Sequence, residues 1–402
     1  MAEGAGGAAL QLSVLDRSLR WLLLGCAGWL ILLSAVVVAG LLLVAVPLAA
    51  LVVAGFAAVI LVPAYAALIL ALDPREPEPR VLLGAAFFWG AFVAVLLAAV
   101  VELLAWAVFA PVVGSAAAHV LMSSVVAPVV EEAAKGSALA LLFLAARHEF
   151  DDVVDGVVYG ALVGLGFAMV EDVFYFAGAY LESGLAGVGI LFFLRSVLGG
   201  LAHSLFTAAT GIGLGLYRQR TPGKRGLLLP LAGFLSAVLL HGLWNGIMTL
   251  LDVTNVPEKN PLLAVAVLLG LPLALTVPGV LTLVVLSVVG GRRAARVIRE
   301  QLAAEVDLGT ARRDDLEALA VPSVRRQRLW RALRRGGLRA VMLQRQLDEL
   351  LVDLAFRKWH QARGDRLPRF LQAYSEQRYR ERIAELRARL EQLDATAGER
   401  RS

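Results

Sequence analysis

The chain has 402 residues, of which 59% are hydrophobic and 18% are charged, and its mean hydropathy is +0.73. A soluble domain could not hide that much apolar surface from water, so the composition excludes a soluble fold and indicates that a lipid bilayer is the main solvent. The net charge is +5, and the single cysteine, Cys26, excludes an intrachain disulfide and disfavours a cysteine-based metal cluster.

Eight apolar runs are long enough to cross a bilayer, which takes about 20 helical residues. They predict spans at 21–44, 47–72, 81–109, 118–146, 153–176, 189–217, 227–251 and 261–289. Only Pro47 separates the first two runs. We therefore predict an all-α fold: a polytopic transmembrane helical bundle of about eight spans, with a membrane domain over 21–290.

Positively charged residues mark alternate ends of these runs, whereas the other loops carry only Lys259. Because Lys and Arg stay on the cytoplasmic side, both termini are predicted to be cytoplasmic, including the N-terminal segment 1–20. The residues that carry this pattern are Arg17, Arg20, Arg75, Arg80, Arg147, Arg218, Arg220, Lys224 and Arg225.

The segment 291–402 differs in composition, with 26 Lys and Arg against 16 Asp and Glu, which leaves a net charge of −5 for the first 290 residues. Leu and Ala recur at helical spacing among the charges, for example over 338–356 and 378–393. We predict a cytoplasmic, Arg-rich helical tail. Its charge favours anionic lipid headgroups, although a solvated helical surface explains it nearly as well. Nucleic acid is disfavoured because acids and aliphatics interleave the arginines.

Ionisable side chains inside the predicted spans are few, and each indicates function because charge is costly in hydrocarbon. At a rise of 1.5 Å per residue, those of the fourth to seventh spans reach similar depths in the middle to outer half of the membrane. One polar site could gather them. They are Glu131, Glu132, Lys135, Glu171, Asp172, Arg195, His203 and His241, with Asn245 one helical turn beyond His241.

These residue types suit the hydrolysis of an amide, which needs an activated water, a group that stabilises the oxyanion and a proton donor for the leaving amine. In a low-dielectric pocket Glu131 and Glu132 would not ionise equally, so one could act as a base while the other is protonated or pairs with Lys135. Alternatively, two histidines and glutamates could hold a zinc ion that lowers the pKa of its water.

Structural explanations compete with each of these assignments. The two glutamates could merely pair with Lys135 or Arg195, the histidines could be packing residues, and Asn245 could bridge helices. Arg195 could pair or extend to the interface. We assign Asp155 to capping of the fifth span, and the glycines at 156, 160 and 164 to close helix packing.

The ordered set of motifs resembles the PrsW family of intramembrane proteases, which are related to the CAAX prenyl endopeptidases. The resemblance covers about 81–251. One departure is Asp172, where the family is expected to have Asn, and it alters the charge beside Glu171. The motifs read Glu131-Glu132-Ala-Ala-Lys135, Phe167-Ala-Met-Val-Glu171, His203-Ser-Leu-Phe206-Thr207 and His241-Gly-Leu-Trp244-Asn245.

The resemblance implies an endopeptidase of membrane-tethered proteins or peptides in a bacterial plasma membrane, typified by site-1 cleavage of an anti-sigma factor on the outer side. By match to the motifs, Glu131 and Glu132 would activate water, and Glu171 and His203 would complete the polar site. A metal set of Glu171, His203 and His241 and a mechanism with glutamate alone both remain open. The last motif residues, His241 and Asn245, would stabilise the oxyanion.

Two other classes of protein fit the same residues. A proton- or ion-coupled transporter could use them as an ion pathway, but the spans show no inverted repeat and the polar residues lie at one depth. An inert membrane scaffold with a basic tail would tolerate replacement of the glutamates. Substrate identity, oligomeric state and the role of the tail do not follow from the sequence.

Overall fold

The computed structural model describes residues 2–75, 78–146, 150–219, 224–362 and 375–399. Helices dominate these ranges, and no strand occurs in them. Contacts divide the chain into two compact units, the first formed by Met1–Leu72 and Glu78–Leu286 and the second by Asp73–Pro77 and Ser287–Ser402. Of the residues used to predict orientation, Arg147 and Arg220 lie outside the described ranges.

The first unit is a bundle of long apolar helices interrupted by short π-helical turns at Trp89–Ala94, Met122–Val126 and Phe193–Leu198. A 3-10 turn, Lys224–Leu227, precedes one of the helices. The helices are α1 (Ala2–Ala45), α2 (Leu48–Val59), α3 (Val62–Leu70), α4 (Arg80–Phe88), α5 (Val95–Val113), α6 (Ser115–Leu121), α7 (Ala127–Ala145), α8 (Val153–Phe192), α9 (Ala202–Gln219), α10 (Leu228–Val253) and α11 (Val256–Lys259).

Six helical stretches of the described residues are long and apolar enough to cross a membrane, at Leu22–Ala45, Leu48–Leu70, Arg80–Val113, Val153–Gln219, Leu228–Val253 and Pro261–Asp307. The stretch Val153–Gln219 has 67 residues and contains the predicted fifth and sixth spans. The predicted fourth span forms α6, a π turn and α7, and it carries three charged residues. The helical membrane bundle is thereby confirmed, whereas eight spans stay a prediction.

Large apolar side chains face outward along these helices, as a bilayer requires and water would not allow. Trp29 is 73% exposed, Val44 90% and Leu262 83%. The most buried helix is instead α8, which lies at the centre of the first unit.

The start of α8 is fixed by a capping box in which Asp152 accepts a hydrogen bond from the Val154 amide and Asp155 accepts one from the Asp152 amide. These bonds satisfy amides that the first helical turn leaves open. Asp155 thus caps the helix, but from the third helical position, whereas the N-cap that we predicted there is Asp152.

Glycines on one face of α8 let α9 approach to backbone contact. A Cβ at Gly156 would lie 2.1 Å from the Gly211 carbonyl oxygen, and one at Gly164 would lie 2.3 Å from the carbonyl oxygen of His203. A Cβ at Gly160 would lie 2.8 Å from the carbonyl oxygen of Thr207. The packing role predicted for these glycines is confirmed, and the contact at Gly164 helps to position His203, a predicted site residue.

The second unit is a smaller helical assembly with its own apolar core of Ile298, Leu302, Leu351, Leu354 and Ile383. Near this core the Glu305 carboxylate is fully buried and accepts hydrogen bonds from Lys358 at 2.8 Å and from Arg380 at 2.8 and 2.9 Å. Its helices are the end of α12 (Pro261–Asp307), α13 (Arg313–Ala320), α14 (Pro322–Ala362, kinked at Gly336 and Gly337) and α15 (Glu376–Glu399).

Several helix boundaries differ from the predicted ones, and two of these concern the predicted sixth and eighth spans. The predicted span 189–217 is interrupted after the π turn that ends at Leu198, and α9 begins only at Ala202. The last predicted span ends at 289, but α12 continues through Gly290 and Gly291 to Asp307, because the residues that follow contain no proline and are rich in Ala and Arg, which favour a helix.

Candidate functional site

The fourth predicted span contributes a buried charge cluster on one face of α7. Glu132 and Lys135 are 0% exposed and Glu131 is 5% exposed. The Lys135 ammonium donates hydrogen bonds to Glu131 Oε2 at 3.0 Å and to Glu132 Oε1 at 2.9 Å. Residues three and four apart lie on the same helix face, so the local sequence alone brings these groups together. One cation faces two carboxylates, and the cluster keeps a surplus of negative charge if both ionise.

Lys135 also touches the two helices that follow. Its ammonium lies 3.8 Å from the centroid of the Phe167 ring on α8 and 3.0 Å from Nδ1 of His203 on α9. An ammonium group only donates hydrogen bonds, so Nδ1 of His203 accepts this one. The cation–π contact explains why an aromatic residue stands at position 167.

His203 is oriented by a carboxylate on α8. Its Nε2 lies 2.9 Å from Glu171 Oε2. Since Nδ1 accepts from Lys135, the neutral ring carries its hydrogen on Nε2 and donates it to Glu171. The lone pair of Nδ1 therefore points toward the α7 cluster.

His241 on α10 is oriented in the same manner by the other glutamate. Its Nδ1 lies 3.1 Å from Glu132 Oε1, and Glu132 also accepts a hydrogen bond from Thr207 at 3.0 Å. The side chain of His241 is 1% exposed. Its Nε2 lies 3.8 Å from Glu131 Oε2 and has no hydrogen-bond partner among the described residues. A buried nitrogen without a partner is costly, and here it faces a carboxylate.

Glu131, His203 and His241 are suitably arranged to hold a metal ion. Each offers one ligand atom, and the three atoms lie within 4.8 Å of one another. Each imidazole has its second nitrogen held by a carboxylate, the arrangement that orients histidine ligands of zinc. The unpartnered Nε2 of His241 is an independent sign that this donor set fits a metal.

Glu171 was predicted as a metal ligand, but the structure groups Glu131 with the two histidines instead. Arg195 explains the difference, because its Nη2 donates to Glu171 Oε2 at 2.7 Å. The same oxygen faces His203. A carboxylate oxygen that already accepts two hydrogen bonds is better suited to orient His203 than to bind a cation directly.

Asp172, which departs from the family pattern, pairs with a nearby arginine. Arg195 Nε donates to Asp172 Oδ1 at 2.6 Å, and Ser196 donates to the other oxygen at 3.1 Å. The guanidinium also stacks 3.8 Å from the Tyr175 ring. Arg195 thus pairs with both Glu171 and Asp172 of α8, and the extra acid shares this one counter-charge with Glu171.

Asn245 is the one predicted site residue that does not join the network. It lies one turn beyond His241 on α10, is partly buried and makes no hydrogen bond within the described part of the chain. Its role at the oxyanion stays a prediction.

Glu102 on α5 was missed by the sequence analysis, although it is a carboxylate inside the predicted third span. Its Oε1 is buried without a hydrogen-bond partner among the described residues. It interacts electrostatically with Glu131, Glu171 and Lys135. The rule that identified the other intramembrane acids would have found it.

Comparison with known proteins supports the resemblance to the PrsW family. The model of the PrsW family intramembrane metalloproteases matches residues 78–291. The protease PrsW of Oceanobacillus iheyensis is 34% identical over 108 residues, which cover 27% of this chain and 46% of the relative. The corresponding proteins of Geobacillus kaustophilus and Bacillus subtilis are 31% identical over 106 residues and 35% identical over 104. Those alignments cover 26% of this chain in both cases, and 43% and 44% of the relatives.

The chain thus spans about half the length of the curated relatives it matches. No solved structure matches it. The family match nevertheless covers more than half of the chain and contains every predicted site residue together with Glu102. The chain therefore belongs to the PrsW family of intramembrane metalloproteases.

Proposed function

We propose that this protein is an endopeptidase that hydrolyses peptide bonds of membrane-tethered proteins near the outer side of the bilayer. One observation carries the proposal: in apolar helices, Glu131, His203 and His241 bring three ligand atoms within 4.8 Å of one another. Burying such a set is costly unless it does chemistry or binds an ion. Family membership supplies the reaction class.

In the proposed mechanism, Glu131, His203 and His241 would hold a divalent cation such as zinc. When bound, such an ion lowers the pKa of a coordinated water and polarises a carbonyl oxygen. A mechanism with glutamate alone would use Glu131 as the base, because its carboxylate is the less enclosed of the pair.

The neighbouring residues have positioning roles in this proposal. Glu132 holds the His241 ring, and Glu171 holds the His203 ring. Lys135 offsets the charge of the two α7 glutamates and donates a hydrogen bond to each. Its hydrogen bond to Nδ1 of His203 uses the lone pair that a cation would take, so this bond would have to break when the ion binds. The Asn245 amide, on the same face of α10 as His241, remains available to donate to the oxyanion of the tetrahedral intermediate.

The proposed substrate is a single-span membrane protein such as an anti-sigma factor, cut at site 1 in a bacterial plasma membrane. The family resemblance suggests this substrate class, and the distribution of Lys and Arg favours cytoplasmic termini. The polar residues lie in the middle to outer half of their spans, so access from the outer side is the shorter route.

The proposal is tested by co-expressing candidate single-span substrates with the wild type, with Glu131→Gln, or with the matched control Glu182→Gln on the exposed side of α8. We expect outer-side cleavage with the wild type and the control, and at least about a hundredfold less with Glu131→Gln, because the variant removes a group that acts on the reacting water. Membrane yield and thermal stability are measured for all three.

The outcomes separate the rival classes. If a well-folded Glu131→Gln variant cleaves as the wild type does, the carboxylate is not catalytic. If neither protein cleaves any candidate, ion flux into proteoliposomes decides between the transporter and the scaffold. Chelator treatment followed by zinc addition distinguishes metal-dependent hydrolysis from a mechanism with glutamate alone.

A further inference from the structure

A strongly cationic cavity lies in the second unit, apart from the residues of the proposed active site. Its volume is about 600 Å³. Four of the side chains that line it are arginines, and Glu300 is the one acidic residue among the described residues of its wall. The arginines are Arg75, Arg292, Arg296 and Arg299.

Arg75 is held in the cavity wall by two contacts. Its Nε donates a hydrogen bond to the Ala320 carbonyl oxygen at 3.0 Å. Its guanidinium also lies against Gly291, where a Cβ would be only 2.0 Å from Nη1. The absence of a side chain at Gly291 is therefore what admits Arg75 to this position. Burial lowers the pKa of Arg75; the nearby Asp73 acts in the opposite direction and Arg299 in the same one. The arginine nevertheless remains charged.

The other three arginines share one face of α12, because positions 292, 296 and 299 follow the i, i+4, i+7 pattern. All three are exposed, and none forms an ion pair or hydrogen bond within the described ranges. Some other arginines of the second unit do have acidic partners, as Arg328 has Asp315 and Arg380 has Glu305. The cavity thus concentrates cationic charge without a matching set of acids.

The cavity residues follow the apolar runs directly. Arg292 comes three residues after Val289, the last apolar residue of the predicted span, and α12 is unbroken between them. At 1.5 Å per residue, Arg292 to Arg299 occupy about the first 5–15 Å beyond the hydrocarbon, which is the depth of the lipid headgroups. Arg75 likewise lies three residues beyond the run that ends at Leu72.

We propose that this cavity binds the phosphodiester of an anionic phospholipid headgroup. Guanidinium groups donate in a planar fork that matches phosphate oxygens, and several of them surrounding one volume give directional binding beyond general attraction. Bilayer depth favours a lipid over a soluble phosphate, because the headgroup is present there at high local concentration. The site would anchor the end of α12 at the membrane surface.

The test titrates the purified full chain in detergent with phosphatidylglycerol, phosphatidylcholine and inorganic phosphate, and counts bound molecules by native mass spectrometry. For the wild type we expect phosphatidylglycerol to bind at least about tenfold more tightly than phosphatidylcholine. The triple variant Arg292→Gln, Arg296→Gln, Arg299→Gln is expected to lose at least about tenfold of that affinity, since each arginine near an anionic surface contributes to binding.

Two further variants distinguish binding at this cavity from general attraction by the net positive charge. The matched control replaces Arg326, Arg339 and Arg345 by Gln, which removes the same charge from exposed positions of α14 outside the cavity. It should retain affinity within about twofold. Gly291→Ala changes no charge but displaces the Arg75 guanidinium, and it should weaken phosphatidylglycerol binding about threefold or more.

The proposal is overturned if the control triple loses as much affinity as the cavity triple, because binding would then reflect net charge alone. It is also overturned if inorganic phosphate displaces the lipid at equal concentration, which would make this a site for soluble phosphate. Circular dichroism melts establish that each variant is folded, and Gly291→Ala gives a result even if the cavity triple is unstable.

Discussion

Glu132 has no access to solvent and has three hydrogen-bond partners, so its role is to position neighbouring side chains. It accepts from Lys135, Thr207 and His241, which saturates much of its capacity. Glu131, one residue earlier, has one hydrogen bond and faces the free nitrogen of His241. Adjacent residues on a helix point about 100° apart, which is why two identical side chains acquire different roles.

Replacing Glu132 by Gln should weaken metal binding rather than abolish it. An amide orients His241 less firmly than a carboxylate and makes its ring less basic, and loss of such a partner costs about 10–100-fold in metal affinity. Zinc affinity measured by chelator competition checks this, with the exposed Glu258→Gln as the matched control. Unchanged affinity in a folded Glu132→Gln variant would mean that His241 is not a ligand.

Much of the site could be predicted from single residues. Charge inside an apolar run is costly enough to identify Glu131, Glu132, Glu171, His203 and His241, and all five meet in the structure. The choice of Glu131 as the carboxylate beside both histidines could not be predicted, because it depends on Arg195 engaging Glu171 from another helix.

At the scale of elements, the α8–α9 interface determines where His203 stands. The two helices touch through backbone atoms, so their separation is set by the lack of side chains at Gly156, Gly164 and Gly211. Small residues at such crossings are how helices pack closely in a bilayer. Helical spacing of glycines in the sequence was sufficient to predict the contact but not its partner helix.

Gly211→Ala should destabilise the bundle. The new Cβ would lie 1.8 Å from the Gly156 carbonyl oxygen, which belongs to the backbone and cannot rotate away. Overpacking of this kind costs about 1–3 kcal/mol, so less folded protein should remain after heating in detergent, as measured by size-exclusion chromatography. Gly178 lies on α8, the helix that carries Gly156, and has open space around it, so Gly178→Ala should leave the stability unchanged. Equal melting of the two variants would contradict the close contact.

The interruption of the predicted sixth span also arises from contacts between different helices. A Cβ at Gly200 would lie 2.2 Å from the Ser196 carbonyl oxygen and 2.7 Å from the Tyr65 ring. Tyr65 in turn donates a hydrogen bond to the Ser196 carbonyl at 2.6 Å. Hydropathy alone cannot detect such a break, because the glycines interrupt the helix without interrupting the apolar run.

At the scale of the whole molecule, the second unit has a core that does not depend on lipid. Hydrogen bonds from Arg380 lower the pKa of Glu305 to about 2. Burial acts in the opposite direction, and Lys358 also lowers the pKa. Because the folded pKa is below the ordinary value of about 4.5, this carboxylate stabilises the fold fully at higher pH. That contribution is lost as the pH falls from about 4.5 toward 2.

Glu305→Gln should therefore reduce the acid sensitivity of the second unit and lower its stability at pH 7. We expect a loss of about 2 kcal/mol, less than for a fully buried pair because Arg380 and Lys358 keep access to water. Urea titrations followed by circular dichroism at pH 7, 4 and 3 measure both effects, with Glu381→Gln as an exposed control. An acid transition identical to that of the wild type would exclude Glu305 as its source.

The sequence by itself determined that this protein is a helical membrane bundle, because its apolar runs can be satisfied only in lipid and the bilayer requires internal backbone hydrogen bonds. It also determined most of the polar residues that meet, since few ionisable groups are tolerated at that depth. Only the tertiary structure decided their pairing. Whether a carboxylate orients a histidine or faces a possible metal position depends on donors from three other helices, and the spacing of residues along one helix carries no information about those donors.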